Sequence, residues 1–406
     1  MAQTTADPAA TARKALDLLL AGNYKDLAPL FTADMQKAYP AESLAKLRTE
    51  FGPVKEIGTP SVQKVGVNAI VVFPVEFEAK NYNFRYIVNR DGLVAGMFPL
   101  PTGAAWQVPA YVKPGSFHER EVTVGDDEWK LSGTLSLPDG SGPFPAVVLV
   151  HGAGANDRDE SVGGAKVFKD LAQGLASQGV AVLRYEKRTR QYQAKMAGLR
   201  GYTLDDEVVD DAVRAVALLR TQKEIDPAKI YVLGHGLGGY AAPRIAQDDE
   251  KLAGLILLGA NSRPLEDEVV DQAIAVGVDP KDLAGIQAQA KRIKALEDAD
   301  SDAPPLLGMT APYLLDLKGY NPVGDTKDLN LRILVLQGER DFQTPMKDFS
   351  LWKTGLAGKK DVTFQSFPTL NHLFEVGEGK STEAEYRKPG HVAPEVIDAI
   401  AKWVKQ

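Results

Sequence analysis

Residues 229–242, Lys-Ile-Tyr-Val-Leu-Gly-His-Gly-Leu-Gly-Gly-Tyr-Ala-Ala, constrain this chain more than any other stretch. A short apolar run is followed by four glycines within six residues, Gly234, Gly236, Gly238 and Gly239, and then by small residues. That succession describes a strand that turns sharply into a helix. At such a corner a side chain would collide with the two crossing backbones, so glycine is the residue that fits.

A strand-to-helix corner needs a sheet to belong to, and the surrounding pattern supplies one. From about residue 117, strand-like and helical patterns alternate. Residues 119–124 and 131–137 read as a hairpin, and residues 145–150 and 180–184 are continuous apolar runs, as in strands buried on both faces. Further strands are expected at 252–258, 332–336 and 362–367, with helices at 167–178, 203–221 and 394–404. Thr203 and Asp206 are spaced as a helix cap, with Val209, Val213 and Val216 as the apolar stripe. The alternation predicts an α/β fold: a mostly parallel sheet with helices on both faces and ligands at the carboxyl ends of its strands. It stops between 262 and 328, where a charged, mostly helical insertion is expected to lie over the strand ends as a lid, or else to decorate the surface.

The preceding residues follow a different plan, and 406 residues are long for one domain. Residues 8–51 read as mostly helical: Pro8 starts a helix, Ala12, Leu16, Leu19 and Leu20 give its apolar face, and Gly22 stops it. Residues 67–73 are strand-like, Tyr82, Phe84, Tyr86 and Val88 alternate at a strand's period, and residues 89–92 read as a turn. These predict a small α+β accessory domain over 1–105, a linker over 106–116 whose approach begins at Pro99, and the larger domain over 117–406. The accessory domain carries no catalytic cluster. It is expected to steer substrate, to form the contacts of a homodimer, or to stabilise its neighbour.

The net charge of −7, spread along the chain, argues against a nucleic-acid surface and gives no pull toward anionic membranes. No apolar run has membrane-spanning length. Zero cysteines exclude disulfides, thiolate metal sites and a cysteine nucleophile, and the five histidines include no pair at metal-ligand spacing. No metal or organic cofactor is implied. The first residues lack a signal-peptide pattern, and residues 2–7 fit a mature N-terminus behind an added methionine. Secreted, periplasmic and cytoplasmic locations all stay open.

Four loops after core strands hold the candidate chemistry. The first runs His151-Gly152-Ala153-Gly154 and on through Asn156, Asp157, Arg158 and Asp159; its glycines let backbone N–H groups approach a ligand. In acyl transfer such a loop gives one half of an oxyanion hole and the residue after the nucleophile gives the other, here Ala153 and Leu237. Gly152 and Gly154 are expected to border the substrate. The second loop is the corner itself, whose Gly234-x-Gly236-x-Gly238 spacing is that of G-x-S-x-G with glycine at the central place. The third holds two carboxylates, Glu339 and Asp341, ahead of Pro345, and the fourth holds His372, a natural general base. His235 lines the pocket or packs beneath it. Tyr313 and Tyr320 reach the pocket from the insertion or pack between helices. Arg184, Lys187 and Arg188 face the site or form a solvated basic loop, and Asp157, Arg158 and Asp159 brace their loop.

These motifs, in this order, resemble the α/β-hydrolase superfamily over about residues 117–406. More narrowly, residues 152–159 and 313–317 look like bacterial esterases related to dienelactone hydrolases and acyl-peptidases, some of which carry an N-terminal domain similar to residues 1–105. The resemblance implies a Ser-His-Asp site with Asp341 as the acid, His372 as the base and position 236 as the nucleophile, acting on small carboxylic esters. Gly236 has no nucleophilic atom. The chain is therefore expected to be an inactivated esterase, or alternatively a binding protein of this fold that never turned over substrate. Gly234-x-Gly236-x-x-Gly239 also fits a dinucleotide fingerprint, but the next strand ends without the acid that would hold a ribose.

Overall fold

The computed structural model describes residues 7–65, 67–103, 106–125, 127–199 and 201–406. The reading of the N-terminus at residues 2–6, and the end of the accessory domain at residue 105, lie outside the described residues. The chain divides into two compact units: Met1–Gln107 with Arg387–Pro389, and Val108–Tyr386 with Gly390–Gln406.

In the first unit Asp7 caps the helix Pro8–Leu20 by accepting the Ala9 N–H. Strands β1 (Val54–Ile57), β2 (Ser61–Val65), β3 (Asn68–Phe77), β4 (Asn81–Val88) and β5 (Val94–Gly103) form an antiparallel sheet. Both β1 and β2 pair with β3, one along each half of it. Alternate residues of β3 and β4, among them Phe73, Phe77, Phe84 and Tyr86, are buried in one core with Ala12, Leu16 and Leu19. The approach to the linker expected at Pro99 is instead the end of β5, where Pro99 pairs with Phe84. β5 is an edge strand, and an edge tolerates proline because one side of its backbone needs no ladder partner.

The second unit holds β6 (Phe117–Val124), β7 (Leu131–Pro138), β8 (Phe144–Val150), β9 (Ala181–Tyr185), β10 (Ile225–His235), β11 (Gly254–Leu258), β12 (Arg332–Gly338) and β13 (Val362–Phe367). Their order is β13-β12-β11-β10-β8-β9-β7-β6. All pairs are parallel except β9 with β7 and β7 with β6. The period of two divides each apolar run between the faces. Ala146, Val148 and Val150 meet the helices Asp210–Arg220 and Leu237–Asp248, while Val147 and Leu149 meet Val167–Ala176 and Pro394–Val404. The order reverses at β8, which lies between β9 and β10, so the carboxyl ends of β8 and β10 adjoin at the switch point where such sheets bind ligands.

The helix expected over 203–221 opens as a π turn, Asp205–Val209, before continuing as Asp210–Arg220. Thr203 and Asp206 cap it reciprocally. The insertion contains the helices Leu265–Val276, Pro280–Lys294, Ala311–Asp316 and Pro322–Asp328. Two short helices, Arg188–Gln191 and Gln193–Ala197, and a hairpin of Ser161–Val162 with Ala165–Lys166 have too few residues to give a period in the sequence.

Candidate active site

β10 ends at His235 and the helix Leu237–Asp248 begins after a single intervening residue. Gly236 makes the corner with φ 50° and ψ −113°. The neighbouring glycines exist for lack of room. A Cβ at Gly234 would lie 2.2 Å from the Gly238 carbonyl oxygen, one at Gly238 2.2 Å from the Val150 carbonyl oxygen, and one at Gly239 2.4 Å from Cβ of Ala260. Gly236 differs: a Cβ there would lie 3.5 Å from Nε2 of His372 and 3.8 Å from Cα of Gly152, ordinary contact distances. Only its dihedral angles favour glycine.

His372 stands in the tight loop after β13, closed by the bridge between Leu370 and Val376. The Asn371 side-chain oxygen accepts the N–H groups of Leu373 and Glu375 and so holds the loop. Nδ1 of His372 donates to Oδ2 of Asp341 at 2.7 Å. That bond places the proton on Nδ1 and leaves the Nε2 lone pair facing position 236. Asp341 is itself fixed: Oδ1 accepts the N–H groups of Gln343 and Thr344, each at 2.8 Å, and Oδ2 accepts Nε2 of Gln337 at 3.2 Å. Glu339 is exposed and accepts the Ser366 hydroxyl instead.

The loop after β8 is tied down from several sides. Gly152 N–H donates to Glu160 Oε1 at 2.7 Å, and its carbonyl accepts Nζ of Lys187 at 2.9 Å and Nδ2 of Asn156 at 3.1 Å. With both its backbone groups engaged, Gly152 meets position 236 through its Cα alone. Gly154 turns the exposed tip with φ 96°. No hydrogen bond among the described residues uses the N–H of Ala153. Leu237, as the first helical residue, has an N–H without an intrahelical acceptor.

His151 is buried against Phe168 and Tyr185, and its Nε2 donates to the Asp157 carbonyl. Burial pushes its pKa down to about 4, so it is neutral at physiological pH. His235 is the opposite case. Its Nδ1 faces Glu160 Oε2 at 2.8 Å and its Nε2 faces the His372 carbonyl at 3.0 Å, and two acceptors call for two protons. Burial works against the charge, but the Glu160 carboxylate and the two hydrogen bonds outweigh it and raise the pKa. His235 therefore packs beneath the site, its ring 4.5 Å from that of His372, and offers no polar atom to a pocket.

The reading of residues 184–188 as a solvated basic loop is corrected by the structure. Arg184, Lys187 and Arg188 are all buried, and each is paired with carboxylates: Arg184 with Asp159 and Glu119, Lys187 with Glu207, and Arg188 with Asp211. Asp157 accepts the N–H groups of Asp159 and Ser161, and Arg158 pairs with Glu121 and Glu186. Tyr313 is buried with its ring edge-on to Tyr202, whereas Tyr320 donates to the Tyr240 carbonyl and lies under Arg244. Glu160, Glu207 and Gln337 were not foreseen. The acidic run that ends in Glu160 was visible, but nothing in it distinguishes a buried carboxylate from a solvated one.

Residues 147–373 match the model of the Alpha/beta hydrolase family, and residues 12–97 match that of a protein of unknown function, DUF3887. The chain is 39% identical over 341 residues to Esterase EstD of Thermotoga maritima, a match spanning 82% of this chain and 78% of that one. Among solved structures, an esterase from Pyrococcus furiosus aligns over 71% of this chain and 91% of its own, with 14% identity and a TM-score of 0.45. Est1E from Butyrivibrio proteoclasticus aligns over 70% and 99%, with 15% identity and a TM-score of 0.46.

Proposed function

Because this chain belongs to the alpha/beta hydrolase family, we propose that it is a carboxylesterase-like scaffold for acyl transfer in which residue 236 is the nucleophile position and glycine stands there in place of serine. One observation carries the reading. The side-chain direction at residue 236 points at Nε2 of His372, 3.5 Å from the Cβ position, while Asp341 holds the other ring nitrogen at 2.7 Å.

With a serine at 236, His372 Nε2 takes the hydroxyl proton as the oxygen attacks the ester carbonyl. The oxyanion is received by the N–H groups of Ala153 and Leu237. His372 then passes its proton to the departing alcohol, leaving an acyl-enzyme. Water repeats the sequence and releases the acid. With Gly236 no bond to the acyl carbon can form, so the chain retains base, acid and oxyanion donors without turnover by this route. The insertion serves as the lid and small carboxylic esters are the substrates.

The test compares this chain with Gly236→Ser on chromogenic acyl esters of increasing chain length. The proposal expects a gain in kcat on the order of 10⁶, the size of effect that removing a nucleophilic serine has elsewhere. A serine variant that folds and hydrolyses no ester faster than the glycine chain overturns it, and a fold that only binds small molecules becomes the better reading.

A further inference from the structure

We infer that Lys187 is a positioning residue for the oxyanion donor: it holds and polarises the peptide between Gly152 and Ala153, and Glu207 holds Lys187. The inference rests on the acyl-transfer reading above and deepens it.

A trans peptide unit is rigid and planar, and its C=O and N–H point in opposite directions. The carbonyl of Gly152 and the N–H of Ala153 belong to one such unit. Anchoring the carbonyl oxygen on Nζ of Lys187 at 2.9 Å therefore sets the direction of the Ala153 N–H on the other side. The neighbouring peptide is pinned by a second bond, from Gly152 N–H to Glu160 at 2.7 Å, so the loop cannot answer by rotating about Gly152. A cation on the carbonyl also draws electron density through the amide and makes its N–H a better donor, and hydrogen bonds in series strengthen one another in a low dielectric.

Lys187 is built in for this task. It is 2% exposed, follows the end of β9, and has Glu207 Oε1 at 2.6 Å as its counter-charge. Glu207 is carried on the π turn Asp205–Val209, where a wider ring interrupts the helix. Tyr313, on the helix Ala311–Asp316 of the insertion, lies near this carboxylate, and burial together with the Glu207 charge pushes its hydroxyl pKa up. A line of charge-assisted contacts thus runs from Glu207 through Lys187 to the oxyanion peptide. It touches neither His372 nor Asp341.

The experiment is done in the Gly236→Ser background. Lys187→Met alone would leave Glu207 buried without its partner, so the double variant Lys187→Met/Glu207→Gln accompanies it. Folding is checked by circular dichroism and thermal melting. A donor that acts only on the transition state changes kcat, not KM. The double variant is expected to lose roughly ten- to a hundredfold in kcat, less than the 10²–10³ for removing a whole oxyanion donor, because the N–H is misdirected rather than removed. Its KM, and competitive inhibition by the carboxylic acid product, should stay within about twofold. A folded double variant with unchanged kcat overturns the inference, as does a loss carried by KM. Inactivity of Gly236→Ser itself is a separate outcome that strikes the acyl-transfer reading.

Discussion

A side chain at residue 236 should destabilise the protein, by an amount that follows from its backbone. The angles φ 50° and ψ −113° lie outside the regions open to L-residues, and holding such a residue costs on the order of 1–3 kcal/mol. Relaxation is blocked. The Gly236 N–H is bonded to the Leu258 carbonyl at 3.1 Å, its own carbonyl accepts the Tyr240 N–H at 3.0 Å, and Gly234 and Gly238 have no free space. Packing adds nothing, since the nearest atom to the new Cβ is 3.5 Å away. Loss of glycine's unfolded-state freedom returns about 0.4–1 kcal/mol. Gly236→Ala should therefore be destabilised by about 1–2 kcal/mol. Gly236→Ser should recover about 1 kcal/mol of that through a hydroxyl bond to Nε2 of His372. Thermal melts and urea titrations followed by fluorescence of Trp129, Trp352 and Trp403, all in the second unit, measure both. An alanine variant as stable as the glycine chain would refute the reasoning, because the corner would then have relaxed.

Three other outcomes follow from the same contacts. In the Gly236→Ser background, Asp341→Asn should lower kcat about 10⁴-fold with little change in structure, because an amide no longer fixes the proton on Nδ1 of His372; steady-state kinetics with a melting control decide. The fold binds no proton on His151 until about pH 4, whereas the unfolded chain takes one near 6.5, so stability present above 6.5 is lost as pH falls through that window. The loss is about 1.4 kcal/mol per pH unit and about 3 kcal/mol in all; His151→Gln should flatten that part of the stability–pH curve. The glycine chain itself should hydrolyse activated esters slowly, at a rate on the order of 10³–10⁴ over buffer from the oxyanion donors and binding, and any part carried by a water on His372 should be lost in His372→Ala. A glycine chain no faster than buffer removes that route.

Much of the site was legible because its pieces sit just past apolar strands. Gly236 follows β10 and Asp341 follows β12, each within a few residues of a continuous apolar, buried run, and His372 follows β13, whose apolar residues Val362, Phe364 and Phe367 fall near a strand's period. What could not be read is what depends on partners far along the chain. Lys187 looks solvated until Glu207 and the Gly152 carbonyl are beside it, and Arg184 until Asp159 and Glu119 are. His235 was open between lining and packing because the choice lay with Glu160, 75 residues away. Pro99 read as a linker because a proline-rich run and an edge strand look alike until the neighbouring strand is known. The π turn left no trace either, since its residues keep an ordinary helical pattern around the cap of Thr203 and Asp206.

The central claim is that position 236 is where the acyl group would be carried. Mass spectrometry after exposure of Gly236→Ser to a fluorophosphonate, which phosphonylates activated serines, tests it directly. The account predicts one adduct per chain, on residue 236, which is lost when His372→Ala is added and is absent from the glycine chain. An unmodified serine variant, or equal labelling of both chains at another residue, would contradict it.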